Sequence, residues 1–140
     1  MISPTSVLFA CTYNAARSPI AASLLKSTHG AKVFIDSAGT REGELDPFAV
    51  VVMSELGIDL EGHHCKTFDD LQDRSYDLVI ALSPEAHERA AEFVRGTACE
   101  LEFWRVIDPN EIEGTRAERV EAYRFLRDEL RRRIKARFPS

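Results

Sequence analysis

Four short apolar runs, each handing over to a segment of helical period, follow one another along these 140 residues. The first, Ser6-Val7-Leu8-Phe9-Ala10, is bounded by the Ser3-Pro4 turn signal and reads as a buried strand. The second covers 32–37, sets Val33 and Ile35 on one face, and ends in the loop signal Ala38-Gly39. The third, 76–82, is apolar throughout after Asp77, as expected of an interior strand in a parallel sheet. The fourth lies within 101–107.

The segments between them carry helix punctuation. Ser18 reads as an N-cap and Pro19 as a first helical residue, with Ile20, Leu24 and Leu25 on one face and Gly30 as the stop. Asp46-Pro47 opens a helix over 48–56 that Gly57 ends. Residues 58–66 are polar and irregular, and 67–72 form a short helical turn. Ser83-Pro84 opens a helix to about residue 95, before Gly96. Asp108-Pro109 opens a loop that Gly114 closes, and Val120, Tyr123, Leu126, Leu130 and Ile134 then form one stripe of a long helix. The alternation predicts an α/β three-layer sandwich: a four-stranded parallel sheet with helices on both faces, built as a single domain over 1–140.

Composition narrows the function. No stretch approaches the roughly 20 apolar residues of a membrane span, and the N-terminus lacks the basic-then-apolar pattern of a signal peptide. Three cysteines, with no close pair, argue against a disulfide scaffold and a four-Cys zinc site and favour a reducing cytoplasm. Net charge is −5, yet residues 114–138 carry nine basic against four acidic side chains. Acids are interspersed and no aromatic platform accompanies the bases, so this helix reads as a solvated face rather than a nucleic-acid surface. A monomer or weak dimer is expected, without membrane or nucleic-acid partners.

In a parallel sheet, ligands bind outside the C-terminal ends of the strands. Cys11 and Arg17 lie at the end of the first strand, Ser83 at the end of the third, and Asp108 at the end of the fourth. With 14 Arg and three Cys in the chain, a Cys-x5-Arg pattern arises by chance roughly one time in four, so its position carries the weight. A helix N-terminus collects anions, and the same field stabilises a thiolate. The loop of Thr12, Tyr13, Asn14, Ala15, Ala16, Arg17 and Ser18 can cradle a phosphate on its backbone N–H groups, with the Arg17 guanidinium gripping two oxygens. Cys11, helped by the Ser18 hydroxyl, can then attack phosphorus and form a phosphocysteine. Asp108 can protonate the leaving oxygen and later activate water. Loop and guanidinium already stabilise the transferring group, so neither metal nor cofactor is called for, and no His/Cys/Asp cluster has metal-ligand spacing.

Val7-Leu8-Phe9-Ala10-Cys11-Thr12-x-Asn14-x-x-Arg17-Ser18-Pro19, with the late Asp108-Pro109, closely resembles the low-molecular-weight protein tyrosine phosphatase family. The likeness continues through Asp36-Ser37-Ala38-Gly39-Thr40, Gly57-Ile58-Asp59 and Asp77-Leu78-Val79-Ile80. It implies Cys11 as nucleophile, Arg17 as phosphate clamp, Asp108 as general acid and Ser18 as thiolate stabiliser. It also implies that Asn14 holds the loop in a left-handed turn, with Ser37 and His63 completing the network. A phosphorylated protein or small phosphate ester is the implied substrate, and inorganic phosphate or another oxyanion the implied loop ligand.

The departures matter. Tyr13 stands where the family usually has Gly, and Ala16 where eukaryotic members often carry a protecting second Cys. Asn110 and Glu111 replace the usual Tyr after Asp-Pro, and Glu111 and Glu113 make the rim acidic. Arsenate reductases share the loop and are the rival reading. Their thiol relay begins just after the third strand, where this chain has Ser83-Pro84. A non-catalytic phosphate-binding module is the third reading, although nucleophile and acid are both present. Cys99 reads as a small packed hydrophobe, Cys65 as an exposed loop thiol, and His29, His64 and His87 as surface groups. Trp104, Phe48 and Met53 read as packing residues.

Overall fold

The computed structural model describes residues 4–71 and 74–139. Ser3 of the expected turn and Gln72 of the expected helical segment lie outside the described residues. Four parallel strands, β1 (Ser6–Cys11), β2 (Phe34–Gly39), β3 (Leu78–Ala81) and β4 (Glu100–Phe103), form one sheet in the order β2-β1-β3-β4. Four helices connect or follow them: α1 (Arg17–His29), α2 (Pro47–Ser54), α3 (Pro84–Phe93) and α4 (Arg116–Arg137). The strand order turns back on itself between β1 and β3, where the loops after the two strands part and leave a crevice.

The period of two along β1 divides the core. Val7, Phe9 and Cys11 face the larger cluster, built with Leu25 of α1, Met53 of α2 and Leu126 of α4. Leu8 and Ala10 face the other side, where Phe68, Leu71, Ala86 and Ala90 cover the sheet. Helices therefore lie on both faces, as the sequence predicts. Cys11 is the last β1 residue, paired with Gly39, so the strand delivers its side chain to the sheet edge.

Several boundaries shift for local reasons. β2 begins at Phe34 rather than residue 32, because the N–H groups of Lys32 and Val33 donate to the His29 carbonyl and close the end of α1. Gly30 ends that helix without a left-handed turn (φ −60°); a Cβ there would lie 2.5 Å from the Lys26 carbonyl oxygen. β4 stops at Phe103, since β3 ends at Ala81 and only the Trp104 N–H still finds that strand. Asp46, Ser83 and Thr115 cap α2, α3 and α4 with their side chains.

Ser18 is not an N-cap. The N-cap of α1 is Ala16, with no side-chain capping bond, and Pro19 sits two positions inside the helix. The Ser18 hydroxyl is buried and held by groups of the preceding loop. Among the described residues, no helix is long and apolar enough to cross a membrane.

Candidate active site

The loop between β1 and α1 curls around the Cys11 sulfur. Ser18 Oγ lies 2.9 Å from Cys11 Sγ, and the Ser18 backbone N–H donates to the same sulfur at 3.4 Å. Asn14 resolves the direction of these bonds. Its Oδ1 accepts the Lys66 N–H at 3.0 Å, which turns its amide nitrogen to Ser18 Oγ at 2.8 Å. Ser18 Oγ accepts there, so its own proton is free for the sulfur. Donors aimed at Sγ stabilise negative charge on it.

Asn14 is wholly buried and has φ 57°, a left-handed conformation that Asn tolerates better than most residues. The segment after α2 holds it: His63 Nε2 and Cys65 Sγ each lie 3.1 Å from the Asn14 carbonyl oxygen. Cys65 is therefore not the free loop thiol expected; it is half-buried against the loop. Burial pushes its thiol up, and the nearby Cys11 pushes the same way. Burial lowers His63, and Lys66 and Lys26 add to that against the raising effect of the Asn14 carbonyl. Ser37 is buried beside this network, but its N–H goes to Asp36 Oδ1, and no bond to Asn14 or His63 is found among the described residues. Asp36 instead anchors Lys66 at 2.7 Å and accepts from the Tyr76 hydroxyl at 3.2 Å.

Backbone contacts fasten the rest of the loop. Thr40 and Arg41 N–H both donate to the Thr12 carbonyl at 2.9 Å, and the Asp46 N–H to that of Ala15 at 3.0 Å. Gly39 is required here: a Cβ would fall 2.8 Å from the Asn14 nitrogen. Thr12 Oγ1 lies 3.1 Å from Ser83 Oγ, which also caps α3 through the Ala86 N–H. The first α1 residue, Arg17, carries its guanidinium to 3.8 Å from Asp108 Oδ2. Asp108 Oδ1 accepts the Asn110 N–H and caps a 3₁₀ turn, Pro109–Glu111, which leaves Oδ2 toward the loop.

Two clefts meet at Arg17, Asp108 and Tyr13. One, of about 760 Å³, runs past Ser83, Pro84, Val106, Ile107 and Ile112. The other, of about 510 Å³, reaches Cys11 past Glu42, Glu44 and Asp46. Asp46 accepts from the Tyr123 hydroxyl and the Phe48 N–H, so it is committed to structure. No group of three or more His, Cys, Asp or Glu suited to a metal ion occurs among the described residues.

The sequence profile of the family described as low molecular weight phosphotyrosine protein phosphatase matches residues 6–136. The chain belongs to this family. Its relatives within the family carry different activities in their names. An arsenate reductase of Halalkalibacterium halodurans is 34% identical over 92% of this chain and 91% of its own length. The low molecular weight protein-tyrosine-phosphatase Wzb of Escherichia coli K12 is 32% identical over 71% of each chain. Among solved structures, a cysteine-to-serine variant of the YwlE arginine phosphatase with a phosphorylated active-site serine superposes with a TM-score of 0.74. It is 27% identical and covers 91% of this chain and 89% of that one.

Sequence reasoning singled out Cys11, Arg17, Ser18, Asn14 and Asp108, and the structure brings these together at one sheet edge. It did not single out Cys65 or Lys66, which touch Asn14 from 51 and 52 residues away. Cys65 carries no local pattern that announces such a contact. Trp104 packs edge-on against Phe9 in the core, and Met53 is fully buried, both as read. His29 and His87 are partly covered, His29 edge-on against Phe138 and His87 stacked on Phe103.

Proposed function

We propose that this family member is a phosphomonoester hydrolase of the protein-tyrosine-phosphatase type that works through a phosphocysteine. The observation that carries the reading is the pair of donors on Cys11 Sγ, Ser18 Oγ and Ser18 N–H, beneath a loop flanked by Arg17 and Asp108. Loop N–H groups and the Arg17 guanidinium hold the phosphoryl oxygens. Cys11 Sγ attacks phosphorus in line, the P–O ester bond breaks, and Asp108 gives its proton to the departing oxygen. Water then attacks the phosphocysteine while Asp108 takes its proton, which releases phosphate and returns the thiolate. The Arg17–Asp108 pair is loose at 3.8 Å, so an incoming oxyanion can take Arg17 from it. The phosphorylated serine of the YwlE variant, on a related loop, supports a covalent step at this position.

A second reading, arsenate reduction, is favoured by the names of relatives such as the Halalkalibacterium enzyme. Reduction requires further thiols that can reach the arsenic–sulfur adduct. At the end of β3 stands Ser83, whose hydroxyl is tied to Thr12 and to the α3 cap. Cys99 precedes β4, at the opposite sheet edge from Cys11. Cys65 binds the back of the loop through Asn14. These placements support the hydrolase over the reductase.

The deciding measurement is turnover of an aryl phosphate beside turnover of arsenate with a thiol reductant. Ester hydrolysis is expected, undiminished by a chelator and abolished by Cys11→Ser and by Arg17→Ala. Arsenate turnover without hydrolysis would reverse the assignment. Asp108→Ala is expected to slow esters of poor leaving groups most; a uniform loss across leaving-group pKa counts against its acid role.

A further inference from the structure

Tyr13, Phe34, Phe103, Ile107, Ile112 and Phe125 are the large apolar side chains that stand exposed among the described residues. Such residues scattered singly are ordinary, but Tyr13, from the loop after β1, lines one cleft with Ile107 and Ile112, which flank the Pro109–Glu111 turn. That cleft ends at Arg17 and Asp108. We propose that Tyr13 is the specificity-determining residue of this site: its ring, with Ile107 and Ile112, forms a slot for the aromatic leaving group of an aryl phosphate. The proposal rests on the phosphomonoesterase reading and names the substrate class it favours.

Tyr13 is built into place rather than hung on a loop tip. Gly43 lies flush against the base of its side chain, where a Cβ would come within 2.8 Å of Tyr13 Cβ and 2.9 Å of its carbonyl oxygen. Gly39 presses on the following peptide, and the next residue is the buried Asn14. The base of the ring is therefore fixed while the ring itself stays half exposed, at 49%. A fixed, exposed aromatic face is a low-entropy contact surface, and ring pairs favour stacked or edge-on partners.

Tyr13 also lines the second cleft, so it stands between a side with Ile107, Ile112 and Arg105 and a side whose acids Glu42 and Glu44 have no base besides Arg17. An aryl ring placed on the acidic side would strip water from Glu42 and Glu44. Placed on the isoleucine side it covers the exposed faces of Tyr13, Ile107 and Ile112, and the acids there, Glu85 and Glu111, share the cleft with Arg105. The ring thus steers an aromatic group toward the isoleucines while the phosphoryl group sits in the loop.

The test uses phenylphosphonate and methylphosphonate, which share the head group and resist hydrolysis, titrated calorimetrically into the full chain. The unaltered protein is expected to bind the phenyl compound at least about tenfold more tightly. Tyr13→Ala should cut that preference to about threefold or less, and Tyr13→Phe should keep it. Methylphosphonate affinity within each variant reports whether the loop is still formed. Equal affinity for the two phosphonates in the unaltered protein overturns the proposal, as does full preference in Tyr13→Ala. Preference lost equally in Tyr13→Phe also overturns it, because the ring then cannot be the cause. If the phenyl preference and its loss in Tyr13→Ala are found but no ester is hydrolysed, the hydrolase reading falls and the Tyr13 slot stands.

Discussion

Ser18 Oγ has one proton and two lone pairs to distribute. Asn14 donates to it, so the proton goes to Cys11 Sγ, and the Ser18 N–H adds a second donor. Removing the hydroxyl leaves the sulfur with one neutral donor in a buried setting. Ser18→Ala should therefore lower kcat/KM about 10- to 100-fold, the worth of one charge-assisted hydrogen bond, and should slow alkylation of Cys11 by iodoacetate. Unchanged alkylation at fixed pH would show that Ser18 does not act on the thiol. His63 makes a pH prediction. Burial holds it below its ordinary value, so the unfolded chain takes up a proton first as pH falls past about 6.5. Its neutral form costs nothing above that pH, and stability is lost as acid forces a charge beside Lys66 and Lys26. The thermal midpoint should fall between pH 7 and pH 5, and His63→Gln should flatten that slope; parallel slopes would remove His63 from the account. At this scale Cys11, Arg17 and Asp108 were legible because residue type and element end coincide. Cys65 and Lys66 were not, because their tie to Asn14 depends on where a polar segment returns.

Elements show the same division. Thr115 and Glu118 form a reciprocal capping box at the start of α4, each side chain bonding the other's backbone N–H. Thr115→Ala should cost about 1 kcal/mol in denaturant unfolding and leave turnover unchanged. Gly39→Ala should do the reverse in emphasis, because the new methyl meets the backbone of residues 12–14 and displaces the loop itself. Activity should drop more steeply than stability, and a variant with full turnover would contradict the close approach. The basic α4, which reads as a solvated face, is partly docked by charge. Arg124 and Arg127 both reach Glu55, just past α2, and Arg137 reaches Glu102 of β4. Hydrogen bonds from Arg124 and then Arg127 hold the Glu55 carboxyl down to about 2. Arg127 is buried and also caps the Val52 carbonyl at 2.8 Å. A charge count along the helix reports no partner, so this docking was invisible before the elements were packed.

On the scale of the molecule, charge is uneven in a way that bears on substrates. The chain is −5 overall, and Glu42, Glu44, Glu85 and Glu111 line the two clefts at the mouth of the site. Arg41 offsets Glu85 at 2.8 Å, and Arg105 lines the cleft of Ile107 and Ile112, but the cleft that reaches Cys11 has no base besides Arg17. Exposed charges within a Debye length of about 8–10 Å repel a like-charged peptide. Phosphotyrosyl peptides with Lys or Arg flanks should be cleaved with higher kcat/KM than those with Asp or Glu flanks. The gap should shrink as salt rises from about 0.05 M to 0.5 M. Equal rates at low salt would show that the rim carries no selectivity.

The sequence by itself determined the four apolar runs, the caps at Asp46 and Ser83, the strand-end position of Cys11 and the loop position of Asp108 beyond the fourth strand. These follow from periodicity and backbone chemistry within a few residues, which a linear reading sees directly. Tertiary structure alone decided that Ser18, expected both to cap α1 and to support the sulfur, does only the second, and that Gly39, Cys65 and Lys66 clamp Asn14. It also decided that Tyr13 stands between the cleft lined by Ile107 and Ile112 and the acidic one. Each of these depends on which distant segments share one sheet edge. A hydroxyl or a glycine takes its role from the nearest partner in space, and that partner is chosen only when the chain packs.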